Sequence, residues 1–182
     1  MTVNLPGKMR HRITTWVRAL RYLSLSDYCT ALILWDVYSR QTHSRTASLM
    51  REPQWTVDGF VETLLEKHGE RCERGLIKPY RFSVRVPDCI YPLAQNRIRE
   101  EHYRSDSAYI TGLVIYDIDL DVPAGKGIPH ARLVSLMKEP KWLRDEVLKQ
   151  LADDFGNPKR KWPKGVEGRI DDIRQRQLQL RS

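Results

Sequence analysis

The apolar positions between residues 55 and 69 have the spacing of one helix face. Apolar side chains recur at i, i+3, i+4, i+7 and i+8, at Val57, Phe60, Val61, Leu64 and Leu65. This spacing gathers them into a single stripe, which is typical of an amphipathic helix. Pro53 suits the first turn of that helix, and Gly69 stands where a left-handed C-terminal residue is expected. We therefore predict a helix that packs by one face.

Nearly the same thirteen residues occur twice in the chain. HSRTASLMREPQW (43–55) and HARLVSLMKEPKW (130–142) share eight identical positions at an offset of 87. Upstream, residues 26–37 resemble residues 107–118 at an offset of 81, so the second copy holds six extra residues in between. Similarity of this extent indicates an internal duplication.

Residues 24–37 (SLSDYCTALILWDV) are apolar almost without interruption after two serines. Serine is a favoured N-cap residue, so the segment predicts a helix buried on nearly all sides. Its counterpart, SAYITGLVIYDIDL (107–120), is richer in β-branched residues and by itself would also suit a strand. Because aligned repeats should share one structure, we predict helices in both. Ala31 and Gly112 share a small position at which two helix backbones are expected to approach closely.

Each repeat is predicted to run helix, strand, helix, strand. RTASLM (45–50) and ARLVSLM (131–137) are short enough for strands. PYRFSVRVP (79–87) alternates apolar residues with Arg81, Ser83 and Arg85, which predicts a strand with one apolar and one basic face. We therefore expect an α+β fold of two homologous repeats in a pseudo-two-fold arrangement. The two apolar helices should lie nearest the axis.

The formal net charge of +8 is unevenly distributed. Residues 1–25 and residues 157–182 each carry +5, which leaves −2 for the middle of the chain. Two basic ends predict a polyanionic partner, most often nucleic acid. A basic surface that serves only solubility is the open alternative. We divide the chain into a basic N-terminal segment (1–17), repeat 1 (18–92), repeat 2 (93–156) and a basic C-terminal tail (157–182).

The three cysteines, Cys29, Cys72 and Cys89, are odd in number and widely spaced. They indicate free thiols in a reducing compartment, and we expect a cytoplasmic protein. The longest clean apolar run, ALILW, is far shorter than the ~20 residues of a membrane span. We expect no membrane contact.

Two of these segments resemble the motif of the LAGLIDADG homing endonucleases. YITGLVIYDIDL (109–120) is similar to that family's pattern Tyr-Ile-x-Gly-Leu-Leu-Leu-Gly-Asp-Gly-x-Leu, and YCTALILWDVYS (28–39) is a weaker copy. The resemblance spans roughly residues 18–156. It implies a saddle of β-strands on DNA, with one acid from each central helix binding a divalent metal.

Carried over residue by residue, the resemblance makes Asp36 and Asp117 the catalytic acids and the ligands of Mg²⁺. A metal-activated water would attack phosphorus while the metals stabilise the leaving oxygen. The two carboxylates should then lie within several ångströms, because bridging metals stand ~4 Å apart. The family usually has glycine on both sides of the acid, whereas Trp35 and Tyr116 precede it here.

Basic side chains supply candidate contacts to nucleic acid. Arg81 and Arg85 lie on the basic face of the predicted strand, and Arg45 and Arg132 follow the repeated His43 and His130. The histidines suit phosphate contacts, and they suit structural roles at least as well. The tail sequence KRKWPK joins cations to an aromatic ring, a combination used on single strands, although a basic linker with one packed Trp is an equal alternative. Its candidates are Lys159, Arg160, Lys161, Trp162 and Lys164.

The alternating acids of DIDLD (117–121) would share one face of a strand and suit Mg²⁺, but a solvated strand end or turn is the favoured alternative.

The apolar residues that are identical in both copies predict how each repeat packs. These should pack each repeat's strand onto its amphipathic helix, so Trp142→Ala should cost ~3–5 kcal/mol. The residues are Leu49, Met50, Trp55, Leu136, Met137 and Trp142.

Two functions of different classes follow. The first is a nucleic-acid-binding protein, with duplex DNA as the expected partner and metal-dependent DNA cleavage, or a degenerate relative of that activity, as its enzymatic version. The alternative is a non-enzymatic mobile-element protein that binds and inhibits or regulates a nucleic-acid-handling protein complex. The missing glycines favour the alternative, and the charge favours contact with nucleic acid.

Overall fold

The computed structural model describes residues 1–40, 43–69, 78–119 and 128–153, together with the single positions 175 and 179. The strands are β1 (Thr2–Leu5) and β2 (Tyr80–Ser83), and a 3-10 turn spans Gly7–Met9. The helices are α1 (Arg10–Ala19), α2 (Leu25–Ser39), α3 (Ser44–Leu49), α4 (Gln54–Lys67), α5 (Tyr91–Glu100), α6 (Asp106–Asp119), α7 (His130–Lys138) and α8 (Lys141–Asp153).

The described part of the chain is mostly helical and carries one small antiparallel sheet, which is compatible with the α+β class. The predicted strands at 45–50 and 131–137 are wrong, because these residues form helices α3 and α7. The prediction rested on length alone. The buried side chains of α7 lie on one helix face, whereas a strand would place them on two opposite faces. They are Leu133, Val134, Leu136 and Met137.

Helices α2 and α6 form the centre of the core. The hydroxyl of Ser24 accepts a hydrogen bond of 3.0 Å from the backbone N–H of Asp27 and so caps α2. The run from Tyr28 to Val37 is buried throughout, as the unbroken apolar sequence predicted. The amphipathic helix α4 is also confirmed, and Gly69 follows it with a positive φ of 74°.

Gly112 makes room for a tyrosine ring. A Cβ atom built at Gly112 would lie 2.8 Å from both Cε1 and the hydroxyl oxygen of Tyr103. The small residue therefore admits the side chain of Tyr103, which precedes α6. The sequence predicted a small residue here because two helix backbones were expected to approach each other, but the nearest atoms belong to the side chain of Tyr103.

The two strands form an antiparallel ribbon. Thr2 pairs with Ser83, and Asn4 pairs with Arg81. Val3 and Leu5 point into the core, whereas the alternate positions Thr2, Asn4, Arg81 and Ser83 are exposed. The predicted basic face of residues 79–87 is confirmed by the exposure of its arginines. Residues 1–17, the basic N-terminal segment of the sequence analysis, supply β1, the 3-10 turn and most of α1 and contribute buried side chains to the core.

The prediction that the two duplicated tryptophans pack in the core is wrong. Trp55 is 76% exposed at the first turn of α4, and Trp142 is 50% exposed at the equivalent position of α8. Their predicted neighbours Leu136 and Met137 are buried, and Leu49 and Met50 are partly buried. No helix among the described residues is long and apolar enough to cross a membrane.

Candidate functional site

Asp36 lies at the buried end of α2 and accepts hydrogen bonds from three side chains. Its Oδ1 accepts hydrogen bonds from His43 Nε2 at 2.6 Å and from Arg97 Nη2 at 3.1 Å. Its Oδ2 accepts hydrogen bonds from Arg97 Nε at 3.2 Å and from the hydroxyl of Tyr109 at 2.7 Å. The carboxylate is fully buried, and its charge is neutralised by the guanidinium of Arg97, itself only 4% exposed.

The ionisation of this buried pair follows from these contacts. Burial raises the pKa of Asp36, but the hydrogen bonds from His43 and Arg97 lower it by more, so it lies below its ordinary value. Burial likewise lowers the pKa of Arg97, but its hydrogen bonds to Asp36 and Glu100 raise it above its ordinary value. Asp36 and Arg97 therefore stay charged near neutral pH, and the pair is a fixed structural element.

Asp117 has a matching set of partners at the end of α6. Its Oδ1 binds His130 Nε2 at 2.8 Å. Its Oδ2 accepts the hydroxyl of Tyr28 at 2.6 Å and the indole N–H of Trp16 at 2.9 Å. Each histidine thus binds the acid of its own copy, while each tyrosine crosses to the acid of the other copy.

The two bridging tyrosines are protonated donors. Burial raises the pKa of Tyr28 well above its ordinary value, and the negative charge of Asp117 raises it further. Burial and the charge of Asp36 do the same to Tyr109. Because neither tyrosine ionises near neutral pH, both interhelical hydrogen bonds persist over the physiological pH range.

The crossed tyrosines join α2 to α6. Tyr28 and Asp36 stand eight residues apart on α2, which corresponds to about 12 Å at 1.5 Å per residue. Tyr28 meets Asp117 and Tyr109 meets Asp36, so each carboxylate is bonded by the tyrosine of the other helix. Trp35 and Tyr116, which precede the two acids, stack with ring centroids 5.9 Å apart. That both carboxylates lie within several ångströms of each other stays a prediction.

The contacts of these carboxylates do not fit a Mg²⁺ site. Every oxygen of Asp36 and Asp117 accepts at least one hydrogen bond from the protein, and Arg97 occupies the position of a cation at Asp36. Among the described residues, no group of three or more His, Cys, Asp or Glu side chains is placed to hold a metal ion. We assign both acids to joining the central helices and derive no catalytic step from them.

The predicted basic contacts lie in several places. Arg81 is exposed on β2, and Arg85 is exposed two residues past the end of that strand. Arg45 is exposed on α3, near Asp119 (3.7 Å between Nη1 and Oδ2), with its guanidinium over the ring of Phe60. Arg132 is partly buried on α7. The candidates Lys159, Arg160, Lys161, Trp162 and Lys164 lie outside the described residues.

A cavity of about 370 Å³ opens beside Arg85. Arg144 also lines it and lies 3.7 Å from the carboxylate of Asp27. The remaining lining residues include the hydroxyl side chains of Ser24, Ser26, Thr30 and Ser83. Pro87 and Met137 complete the lining, so the cavity is of mixed polar and apolar character.

Most of the exposed charged side chains in the described part of the chain are basic. Within the described ranges, exposed cations far outnumber exposed acids. The exposed acids are Glu52, Glu66, Asp88, Glu100 and Glu146, and the exposed cations are Arg10, Arg18, Arg21, Arg40, Arg45, Lys67, Lys78, Arg81, Arg85, Arg99, Arg104, Lys138, Lys141 and Lys149.

Sequence reasoning singled out Asp36, Asp117 and both histidines but missed several of their partners. Tyr28 and Tyr109 are identical in the two copies, and that identity was the available signal. Arg97 and Trp16 also occupy aligned positions at the offset of 81, but their chemistry differs, so alignment alone did not reveal a shared role.

Comparisons with protein-family models, with curated proteins and with solved structures find no match to this chain.

Proposed function

We propose that this protein binds nucleic acid, with duplex DNA as its partner, and that its two repeats are related by a pseudo-two-fold axis. The observation that carries the proposal is the exposed charge. Asp36 and Asp117 are buried, as is Arg97, the counter-charge of Asp36, so one net negative charge is withdrawn from the surface. A surface on which cations predominate attracts phosphate groups from a distance and releases their counterions on binding.

The pairs of matching contacts support the pseudo-two-fold relation. Tyr28 bonds to Asp117 as Tyr109 bonds to Asp36, and each pair of equivalent residues is 81 positions apart. The edge-to-face pair Tyr22–Tyr28 has a centroid distance of 5.4 Å and an interplanar angle of 69°, and the pair Tyr103–Tyr109 has the same values.

The binding itself is tested by fluorescence anisotropy with labelled 30-base-pair DNA, a matched single strand and a matched RNA duplex. Arg81→Gln, on the exposed face of the ribbon, should weaken binding to duplex DNA. Lys149→Gln removes the same charge from a residue of α8, outside the ribbon, and as the matched control should weaken binding less than Arg81→Gln. If the wild-type protein fails to bind any of the three probes at low salt, the proposal is wrong. Preference for the RNA duplex or the single strand would replace duplex DNA as the partner.

A second candidate function rests on the exposed tryptophans. Trp55 and Trp142 are equivalent in the two copies, and both expose large apolar surface at the start of a helix. Tryptophan is enriched at the centres of protein interfaces. These residues favour a non-enzymatic protein that docks on a nucleic-acid-handling complex. Loss of that partner in Trp55→Ala or Trp142→Ala, with DNA binding absent and folding intact, would put this function first.

A further inference from the structure

The exposed face of the β1–β2 ribbon carries polar side chains at every second position. Thr2 and Asn4 lie on one strand, and Arg81 and Ser83 lie on the other. Arg85 continues the same alternation past the end of β2, beyond the buried Val84. Within the described part of the chain, the amide of Asn4 and the guanidinium of Arg85 take part in no side-chain hydrogen bond or ion pair, so both are available to a ligand.

The backbones of Asn4 and Arg85 are held in the same way by two different helices. The N–H of Asn4 donates to the hydroxyl of Ser107 on α6 at 2.9 Å, and the N–H of Arg85 donates to the hydroxyl of Ser26 on α2 at 3.1 Å. Their carbonyl oxygens accept from Thr111 at 3.5 Å and from Thr30 at 3.1 Å, respectively.

These contacts extend the duplication to the strands. Asn4 and Arg85 are 81 residues apart, as are the two serines and the two threonines that hold them, and TVNLP (2–6) aligns with SVRVP (83–87) at that offset. This similarity is too short to indicate a duplication by itself. The equivalent hydrogen bonds to Asn4 and Arg85 supply the second observation. Asn4 and Arg85 are therefore equivalent positions of the two repeats.

The pairing register places the pseudo-two-fold axis between Thr2 and Ser83. These two residues are equivalent at the offset of 81, and they also pair with each other. On either side, Val3 pairs with Phe82, and Val84 exchanges both backbone hydrogen bonds with Met1, at 2.8 and 2.9 Å. Asn4 and Arg85 thus flank the axis on opposite strands.

We propose, building on the proposed binding of duplex DNA, that this ribbon enters the major groove and that Asn4 and Arg85 contact bases on opposite sides of the axis. The major groove, about 12 Å wide, admits a two-stranded β-ribbon. Asparagine pairs with the N6 and N7 atoms of adenine, and arginine pairs with the O6 and N7 atoms of guanine. Because the backbones are fixed by Ser26, Thr30, Ser107 and Thr111, both side chains project from defined positions.

The target that follows is an imperfect palindrome. Equivalent positions on two sides of an axis meet equivalent bases of the two half-sites, but this protein presents asparagine on one side and arginine on the other. The preferred site should therefore carry adenine in one half and guanine at the equivalent position of the other half. Arg81, which has no described equivalent across the axis, adds a contact on one side only.

The test is selection of binding sites from a randomised DNA duplex library, followed by affinity measurements on the selected sites. Wild type should select an asymmetric site. Asn4→Arg should select a symmetric site with guanine in both halves, and Arg85→Asn a symmetric site with adenine in both halves. Each change of preferred base should alter relative affinity by about 5- to 150-fold. Lys149→Gln should keep the wild-type preference, and thermal melting should show that all variants fold.

Three results would overturn the inference. The first is that both ribbon variants keep the wild-type base preference. The second is that substitution of Arg85 weakens binding equally for every sequence, which would place this arginine on a phosphate beside the neighbouring cavity. The third is that wild type binds duplexes with no base preference at these positions. All three outcomes leave the proposed DNA binding standing, whereas failure of wild type to bind any duplex removes both proposals.

Discussion

Tyr28 on helix α2 donates a hydrogen bond of 2.6 Å to the carboxylate of Asp117 on helix α6. The donor belongs to the first copy of the duplicated sequence and the acceptor to the second, so the bond joins the two halves of the chain inside the core. Tyr109 makes the reciprocal bond to Asp36 at 2.7 Å. Each buried carboxylate is thus bonded by a tyrosine of the other copy, and neither half holds its own aspartate alone.

Removal of one bridging hydroxyl tests this exchange. Tyr28→Phe should destabilise the protein by about 1–3 kcal/mol, because it removes a hydrogen bond to a buried carboxylate and leaves that oxygen less well satisfied. Tyr109→Phe should cost a similar amount. Tyr91→Phe alters an exposed tyrosine and should stay within about 0.5 kcal/mol. Chemical denaturation measures all three, and equal stabilities would contradict the structural role of the bridges.

The buried ion pair predicts how stability depends on pH. The pKa of Asp36 is lower in the folded protein than its unfolded value of about 3.9. Its stabilising contribution is therefore fully present above the unfolded pKa and is lost as pH falls through the folded pKa. Asp36→Asn should remove this contribution to acid sensitivity. It should also cost about 3–5 kcal/mol at neutral pH, because Arg97 loses its buried counter-charge.

Denaturation curves measured between pH 7 and pH 3 check both effects. A variant with wild-type stability at neutral pH would show that Asp36 and Arg97 are not coupled in the folded protein. The double variant Asp36→Asn, Arg97→Met should recover part of the loss, since it no longer buries an unpaired guanidinium.

Two glycine substitutions on different helices should have opposite effects. Gly112→Ala places a Cβ 2.8 Å from the buried ring of Tyr103 and should destabilise by about 1–3 kcal/mol through overpacking. At Gly59, on α4, nothing lies within 4 Å of the added Cβ. Gly59→Ala should therefore stabilise by roughly 0.5–1 kcal/mol, because alanine favours a helix interior. Thermal melts of the two variants should move in opposite directions from wild type.

Exposure of the duplicated tryptophans predicts a small effect on folding. Trp55→Ala should change stability by no more than about 0.5 kcal/mol, as surface substitutions usually do, and the half-exposed Trp142 should cost far less than the 3–5 kcal/mol of a buried aromatic. Leu136→Ala, which removes a fully buried side chain, should cost about 2–5 kcal/mol and serves as the positive control. A Trp142→Ala variant that melts as early as Leu136→Ala would contradict this order.

Local patterns predicted α2, α4 and the alternating faces of residues 79–87. Burial of one face leaves a period in the sequence, and burial on all sides leaves an unbroken apolar run. They failed for α3 and α7, which are too short for a period of 3.6 to be told from a period of 2. They also failed for Trp55 and Trp142: identity in both copies shows that a residue is retained in the repeat but does not show whether it faces the core.

The relation between Asp36 and Asp117 lay beyond sequence reasoning for a different reason. Duplication showed that the acid occurs twice, but the direction in which two apolar helices pack is set by long-range contacts. Here those contacts are the crossed tyrosine bonds, through which each acid is held by the other helix.

The salt dependence of DNA binding tests the central claim most directly. The dissociation constant of wild-type protein for a 30-base-pair duplex would be measured between about 50 and 200 mM salt. Phosphate-led binding predicts that the logarithm of the association constant, the reciprocal of that dissociation constant, falls linearly with the logarithm of the salt concentration, with a slope of about −0.9 for each phosphate neutralised. Absence of binding at the lowest salt, or an affinity that does not change across this range, would contradict the proposal that the exposed cations of this protein bind DNA.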